Sequence, residues 1–466
     1  MSRLILAAAL AAVLAHPCRA ADAEPATRSE VEELRREVAD LKAQIKALRE
    51  ALVPQPAAAQ AAAAPAPRDA AGAAQAGSGK PAVAAAKADT KGADATASAY
   101  DNPAKPGGGP SFWGYGELNY NHYTQDSSRD QADLRRFVVG LAYDFNDRLR
   151  FNSEIEWEHA VASADDQGET EIEQAYLEYQ ATQKLSVKGG LFLMPFGFLN
   201  EHHEPPVFYG VERNDVETRI IPSTWREGGF GFRWATDNGI TYEGGITTGF
   251  DISKFDDPGF PLSSVHQELQ LARAHDLSYY GAVNYRGVPG LQVGGAVFTG
   301  NSTQGNAAFK ADNTQPDFSG INGRVTLWDV HARWTPSKFD FQTIYARGRI
   351  GDADRIDQTL AAFNAANPGD TRAFVPDAFY GWYVQGAYKL WERNELSLSP
   401  FLRYEYYNTQ ASMPVGFLAD PINASHVTTT GLTFRLHPQV VIKADYQKYV
   451  EHSENNRVDL GLGYMF

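Results

Sequence analysis

The chain has 466 residues and carries 42 lysines and arginines against 57 aspartates and glutamates, a net charge of −15. This acidic balance argues against a nucleic-acid binder, which needs a basic face to neutralise phosphates. The single cysteine, Cys18, lies within the first twenty residues, so the rest of the chain has no disulfide, thiolate metal site or cysteine nucleophile. Beyond residue 20 no apolar run approaches the roughly 18 residues of a membrane helix, whereas the alternating strands of a membrane β-barrel are compatible with the composition.

Residues 1–20 have the pattern of a secretory signal peptide. Arg3 supplies the charged start, Leu4 to Leu14 form the apolar segment, and Cys18 and Ala20 are the small residues expected before a cleavage site. A short buried helix is the alternative interpretation. The signal peptide predicts export from the cytoplasm.

Residues 21–52 contain a heptad pattern, in which apolar residues recur at alternating spacings of three and four. The apolar positions are Val31, Leu34, Val38, Leu41, Ile45, Leu48 and Leu52. The pattern predicts a self-associating coiled coil, although about three heptads are marginal on their own. A single amphipathic helix lying on a partner is the alternative. Residues 53–110 are rich in Ala, Pro and Gly and poor in large apolar side chains, which predicts a disordered linker.

From Ser111 onward, short segments alternate between apolar and polar residues. Between Arg148 and His159, for example, Leu149, Phe151 and Trp157 share one parity and polar residues occupy the other. These segments run to ten residues or more, which is longer than most strands of soluble sheets and long enough to cross a bilayer at a tilt.

Short and long connections also alternate along this region. Tight turns are predicted at Asn146-Asp147, Ala181 to Lys184, Thr236 to Gly239, Arg286 to Gly290, Thr335 to Lys338, Trp391 to Asn394 and His437-Pro438. Long polar loops are predicted near 125–132, 161–168, 195–226, 251–275, 301–320, 350–377, 409–425 and 451–456. Fifteen connections give sixteen strands, with a count of eighteen left open. The predicted fold class is all-β: a 16-stranded antiparallel transmembrane β-barrel over residues 111–466, preceded by the short coiled-coil helix and the linker.

The last predicted strand places Val458, Leu460, Leu462, Tyr464 and Phe466 on one face. A chain that ends on an aromatic residue in this alternation resembles the signal by which outer-membrane barrels are recognised. We therefore expect the barrel assembly machinery to be a partner through Phe466.

A barrel of sixteen strands leaves an aqueous channel, and its inward parity should set ion preference. The basic candidates for the pore wall are Arg148, Arg150, Lys188, Arg233, Arg333, Arg403 and Lys443. The acidic candidates are Glu154, Glu156, Glu243, Asp329, Glu405 and Asp445. Each of them has the alternative interpretation of an ordinary solvated wall residue.

The third long loop, 195–226, is expected to fold into the lumen and to narrow the pore, because its prolines and aromatic residues suit a fixed shape. Its candidates for the constriction are Glu201, His202, His203, Glu204, Glu212, Arg213, Arg219 and Arg226, while Asp215 and Glu217 add to its acidic charge. We expect the three arginines to face Glu201 and Glu204 across or along the lumen. His202 and His203 should make the constriction more attractive to anions when they are protonated near pH 6.

The runs Gly190 to Gly197, Asn200 to Pro206, Val211 to Asn214 and Ile221 to Gly229 resemble the phosphate-selective porin O/P family. The resemblance covers roughly 111–466 and implies a trimeric channel in the bacterial outer membrane, in contact with lipid and lipopolysaccharide, with the N-terminal segment in the periplasm. It also implies passive diffusion of small hydrophilic solutes or ions, with phosphate or other anions as candidates. The loop departs from the family's basic constriction, because its acidic residues outnumber its arginines. A sugar-specific porin is a further alternative, since some of those also carry an N-terminal coiled coil.

Enzyme and metal interpretations are weaker than the channel interpretation. Adjacent histidines in Glu201-His202-His203-Glu204 point opposite ways in an extended segment and match no zinc motif. Asp352, Asp354 and Asp357 lack EF-hand spacing, so a solvated loop is preferred. No nucleophile elbow occurs in the barrel, and we expect neither enzyme activity nor a cofactor. A barrel that only anchors a tether or adhesin is the alternative from another class.

Overall fold

The computed structural model describes residues 108–160, 167–308 and 314–466. The predicted signal peptide at 1–20, the coiled-coil segment at 21–52 and nearly all of the linker at 53–110 lie outside the described residues and stay predictions. Strand β1 begins at Gly109, two residues before the predicted start of the barrel. Gly109 and Pro110 already pair with Asp144 and Tyr143 of the next strand.

One antiparallel sheet closes on itself to form the barrel. Its strands are β1 (Gly109–Tyr123), β2 (Gln131–Asp144), β3 (Leu149–Glu158), β4 (Thr170–Gln180), β5 (Leu185–Leu193), β6 (Arg226–Ala235), β7 (Ile240–Thr248), β8 (Leu277–Tyr285), β9 (Leu291–Gly300), β10 (Val325–Trp334), β11 (Phe339–Ile350), β12 (Ala378–Tyr388), β13 (Trp391–Arg393), β14 (Leu396–Ser412), β15 (Ala424–His437), β16 (Val440–Tyr449) and β17 (Arg457–Met465). Apart from β12, each of β1 to β16 pairs with the next strand in the chain, and β1 pairs with β17 to close the sheet. Since β12 and the three-residue β13 both pair with β14, they form one side of a single hairpin. The prediction of a 16-stranded antiparallel barrel is confirmed.

The connections alternate between tight turns at one end of the barrel (the turn end) and longer loops at the other (the loop end). Two predicted connections are shifted. Trp391–Arg393 is a strand and not part of the turn, and the chain reverses at Asn394, whose φ of 54° is the left-handed conformation that such a reversal needs. Strand β14 also extends to Ser412, which shortens the loop predicted at 409–425.

The sixth long loop contains a helix, α1 (Ala353–Ala366), which the alternation pattern did not predict. Asp352 precedes it, and Ile356, Leu360 and Phe363 are buried on one face. The interpretation of Asp357 as a solvated loop residue is wrong, because its side chain is buried on α1 and accepts a hydrogen bond from the Val375 backbone N–H at 2.9 Å. Burial raises the pKa of Asp357 to about 7. Among the described residues, no helix is both long and apolar enough to cross a lipid bilayer.

The outer surface of the strands is apolar and the inner surface is polar. On β6, Phe230, Phe232 and Trp234 are exposed on the outside, while Arg233 belongs to the inward parity. Aromatic pairs lie beside the tight turns, as at the lipid–water boundary of membrane barrels. These pairs are Trp234 with Tyr242, Phe339 with Phe341, Trp334 with Phe341, and Tyr143 with Phe145.

A large apolar cluster lies inside the barrel, where residues of the third long loop pack on the wall. Trp225 is fully buried at its centre, with ring centroids 5.1 Å from Phe196, 5.3 Å from Phe250 and 4.8 Å from Phe298. Such aromatic contacts each stabilise by about 0.5–1.5 kcal/mol beyond the area they bury. This cluster holds the two ends of the third long loop against strand β9 and the loop after β7.

Deleting residues 21–107 should leave barrel folding intact, because every strand pairing from Gly109 to Met465 is present without them. We expect an unchanged β-type circular dichroism spectrum and an unchanged resistance to heat in detergent gels. Failure of the shortened chain to fold, while the full-length chain folds in parallel, would show that the barrel needs the N-terminal region.

Candidate pore constriction

The third long loop, residues 194–225 (the inner loop), lies within the barrel. The side chain of Asn200 joins its two ends: Nδ2 donates to the Met194 carbonyl at 2.7 Å and to the Trp225 carbonyl at 2.8 Å. The Oδ1 atom of Asn200 accepts from the Trp225 backbone N–H at 2.6 Å. This buried amide therefore closes the neck of the inner loop with three hydrogen bonds.

The carboxylate of Glu217 holds the middle of the inner loop to its beginning. Its Oε1 atom accepts from the backbone N–H groups of Phe198 at 2.5 Å and Leu199 at 2.9 Å. Its Oε2 atom accepts from Asn214 Nδ2 at 2.8 Å and from the Tyr383 hydroxyl on β12 at 3.1 Å. The side chain is buried, so these four bonds satisfy a charge that would otherwise be costly in the interior.

The far part of the inner loop is bonded to strands β14–β16. The backbone N–H of Val211 donates to Asp445 at 2.6 Å, and that of Asp215 donates to Glu405 at 2.8 Å. Arg435 donates to the Pro206 carbonyl at 2.7 Å. These contacts show that the inner loop folds into the lumen, as its prolines and aromatic residues predict, and that it packs on the opposite wall.

His203 lies in a second buried contact, on the side of β1 and β4. Its Nε2 atom is 2.7 Å from the Tyr115 hydroxyl and 3.0 Å from a carboxylate oxygen of Glu173, and its Nδ1 atom is 3.1 Å from the Asn200 carbonyl. Burial, together with the positive charge of Arg213, lowers the pKa of His203 to about 3. The ring is therefore neutral at pH 6, and the expectation that His203 is protonated there is wrong. His202 instead lines the open lumen.

The three loop arginines do not face Glu201 and Glu204 across the lumen, so that expectation is wrong. Arg213 donates to the hydroxyls of Ser223 and Thr224 at 2.6 and 2.8 Å. Arg219 pairs with Asp215 within the same helical turn at 2.7 Å. Each guanidinium thus has partners on its own side of the inner loop.

Arg226 begins strand β6 and lies outside the inner loop. It pairs with Glu171 at 2.5 Å and with Glu268 at 2.9 Å, and it is almost fully buried. Glu204 is buried as well, whereas Glu201 lines the open lumen. Glu212 accepts hydrogen bonds from Asn119 and Asn121 on β1, so it too holds the inner loop to the wall.

The predicted wall residues fall into three groups. Those under the inner loop are buried: Glu154, Glu156, Asp329, Arg403, Glu405, Lys443 and Asp445. Arg403, for example, pairs with Glu405 at 3.0 Å, and the Lys443 ammonium lies 3.5 Å from the Phe208 ring centroid. These side chains support the inner loop and do not face the solution.

A second group keeps contact with the lumen. Arg233 lies 3.6 Å from Glu243 and is about half exposed, and Arg150 lies 3.7 Å from Asp144. Lys188 is partly buried over the Phe192 ring at 4.4 Å. Arg148 forms the third group: its assignment to the wall is wrong, because it lies exposed in the turn before β3.

A pocket lies between the inner loop and strands β8–β11. Pro195, Phe198, Glu201 and His202 are among the loop residues that line it. The wall contributes Asn284, Arg286, Gln292, Arg333 and Gln342. The guanidinium of Arg333 is held by Asp340 at 2.9 and 2.6 Å, which neutralises its charge.

The sequence prediction missed four of the five wall residues of this cavity. Asn284, Gln292 and Gln342 have inward parity on β8, β9 and β11. An uncharged polar residue at an inward position could therefore have identified them from the sequence. Arg286 lies in a turn, where alternation gives no signal. Among the described residues there is no group of three His, Cys, Asp or Glu side chains that could hold a metal ion, and His203 faces away from His202 into the wall.

Glu217→Ala should loosen the inner loop, because the backbone N–H groups of Phe198 and Leu199 lose their acceptor. We expect the free energy of unfolding to fall by about 2–5 kcal/mol and the single-channel current to become noisier and larger. Glu454→Ala, in an exposed loop, is the matched control. Unchanged conductance and noise in Glu217→Ala would show that this carboxylate does not hold the constriction.

This chain resembles known proteins in sequence and in fold. Residues 107–250 match the family model described as phosphate-selective porin O and P. An uncharacterized protein of Aquifex aeolicus is 31% identical over 364 residues, which cover 77% of this chain and 80% of that protein. OmpF of Salmonella typhi, solved in complex with daunomycin, is 14% identical with a TM-score of 0.51, covering 77% of this chain and 97% of OmpF. An anion-selective porin from Comamonas acidovorans is 11% identical with a TM-score of 0.46, covering 77% of this chain and 100% of that chain. With the family model on the strands that carry the inner loop and a relative matching most of the barrel, the chain belongs to the phosphate-selective porin O and P family.

Proposed function

We propose that this outer-membrane porin is a passive diffusion channel for small hydrophilic solutes, with a weak preference for anions. The observation that carries the proposal is the pocket between the inner loop and strands β8–β11, whose wall side is lined by Asn284, Gln292 and Gln342 among other polar residues. A barrel that served only to anchor a tether would need no polar pocket beside the inner loop, and this pocket supports a path for solutes through the lumen.

The charges along the passage support weak rather than strong selectivity. Arg286 is exposed at the turn end of the cavity, and Glu201 lies on the loop side of it. Arg333 is paired with Asp340 and Arg233 with Glu243, so both contribute little net field. Strong selectivity for phosphate would require several unpaired arginines or lysines at the same height along the pore. A carboxylate next to a guanidinium competes with phosphate for its hydrogen bonds.

The proposal also includes a homotrimer, a periplasmic coiled coil and recognition by the barrel assembly machinery. The family resemblance supports a homotrimer, with residues 21–52 as a coiled coil in the periplasm. Phe466 supports recognition by the barrel assembly machinery, because its ring is exposed while its backbone pairs with Gly114 in both directions, at 2.8 and 3.1 Å.

The combined variant Lys188→Gln, Arg233→Gln and Arg286→Gln should shift the zero-current potential in a salt gradient toward cations. Removing positive charge from a low-dielectric-walled channel lowers the local anion concentration, and we expect the anion-to-cation permeability ratio to fall by about twofold or more. Planar bilayer recordings of the purified full-length protein measure it.

Arg148→Gln is the matched control, since it removes an arginine that lies exposed in a turn and at no inward strand position. Equal shifts in the control and the triple variant would assign selectivity to the general surface charge. An unchanged zero-current potential in both variants would show that other residues set the selectivity. Absence of any conductance in the wild type would contradict the channel function itself.

A further inference from the structure

Charged side chains are rare at the outward positions of the described strands, and those that occur are basic. Arg347 and Arg349 on β11 and Lys448 on β16 lie toward the loop end. Arg393 on β13 lies at the turn end. Arg226, by contrast, is held by Glu171 and Glu268. No aspartate or glutamate occupies an outward position in these strands.

Two of these arginines form a patch with a third. Arg347 and Arg349 share the outward face of β11, about 7 Å apart along the strand. Arg349 pairs in register with Thr326 on β10, and Arg324 precedes that residue by two positions on the same parity. The Arg324 carbonyl accepts from the Gly351 backbone N–H at 2.8 Å, which holds it beside the end of β11. We call Arg324, Arg347 and Arg349 the arginine rim patch.

The patch differs from the inward arginines in its lack of carboxylate partners. Within residues 108–160, 167–308 and 314–466, none of its three guanidinium groups forms an ion pair with a carboxylate. Asp352 lies nearby in the chain, but its Oδ2 atom accepts from the backbone N–H groups of Asn322 and Gly323 at 3.3 Å each. Arg324 and Arg349 are exposed, and Arg347 is partly exposed.

Toward the turn end from the patch, the outer surface becomes aromatic and then aliphatic. Arg347 pairs in register with Trp328 on β10 and Tyr380 on β12. Farther along, Val330 and Val384 are exposed on the same outward face. Positive charge above an aromatic layer and an aliphatic layer is complementary to a lipid with a phosphorylated headgroup.

We infer that the arginine rim patch binds the phosphate groups of a glycolipid of the outer leaflet, of the lipopolysaccharide type, with its acyl chains along the Trp328–Val330 face. Guanidinium groups bind phosphate oxygens through paired hydrogen bonds, and two or three of them in one patch match a headgroup with more than one phosphate. The inference rests on the outer-membrane location and not on which solute the channel passes.

The test uses the purified full-length protein in a neutral detergent, titrated with bis-phosphorylated lipid A and followed by native mass spectrometry. The triple variant Arg324→Gln, Arg347→Gln, Arg349→Gln should bind lipid A at least about tenfold more weakly, since each lost charged hydrogen bond weakens binding by about that factor. Arg393→Gln is the matched control, an outward arginine at the opposite end, and should bind as the wild type does. Single-channel conductance should be unchanged, because none of the three arginines lines the cavity, and this readout separates the test from that of the channel function.

Three results would overturn the inference. Equal binding of lipid A by the wild type and the triple variant would show that the patch is not the site. If millimolar inorganic phosphate displaced bound lipid A completely, the arginine rim patch would be a simple anion site. A change in the oligomeric mass of the triple variant would identify the patch as a contact between subunits. If the wild type bound lipid A with one phosphate more weakly than lipid A with two, the result would support the inference.

Discussion

Closure of the sheet is the constraint on which the rest of this structure depends. In an apolar medium each backbone N–H and C=O must find a partner, and a barrel provides one for all of them only when its first and last strands pair. Here β1 pairs with β17 over nine residues, from Tyr115–Met465 to Tyr123–Arg457. Because closure also fixes which parity points inward, every second side chain is committed to the lumen and the others to the outer surface.

The same requirement applies to the irregular backbone of the inner loop, and wall carboxylates meet it. Asp445 accepts from Val211 and Glu405 from Asp215, while Glu217 within the loop accepts from Phe198 and Leu199. A carboxylate is well suited to this task, since each of its oxygens can accept more than one hydrogen bond. Acidic residues that resemble selectivity determinants in the sequence therefore act mainly as anchors.

Most of the fold could be predicted from the sequence because its signals are local. Alternation along segments such as Leu149 to Trp157 and turn residues such as Asn146 mark the strands without knowledge of their partners. The helix α1 escaped this approach because the alternation pattern gives no signal for a helix inside a loop. The site was harder to predict: whether Arg213 faces Glu201 or Ser223 depends on the path of the inner loop, which no local pattern encodes. Arg148 and Arg286 show the same limit, since parity loses its meaning within a turn.

The position of a charge relative to the inner loop therefore decides what it does. On the side of β14–β17 the loop excludes water, and charges such as Arg403 and Glu405 must pair with each other to be tolerated. On the side of β8–β11 a pocket stays accessible, and charges there are screened over about 8–10 Å when solvent fills it. An isolated cation such as Arg286 biases the local ion population only weakly under those conditions, whereas a cluster would act as a site. The family's name does not determine the solute of this channel, and we propose that the density of unpaired cations beside the pocket at β8–β11 sets its ion preference.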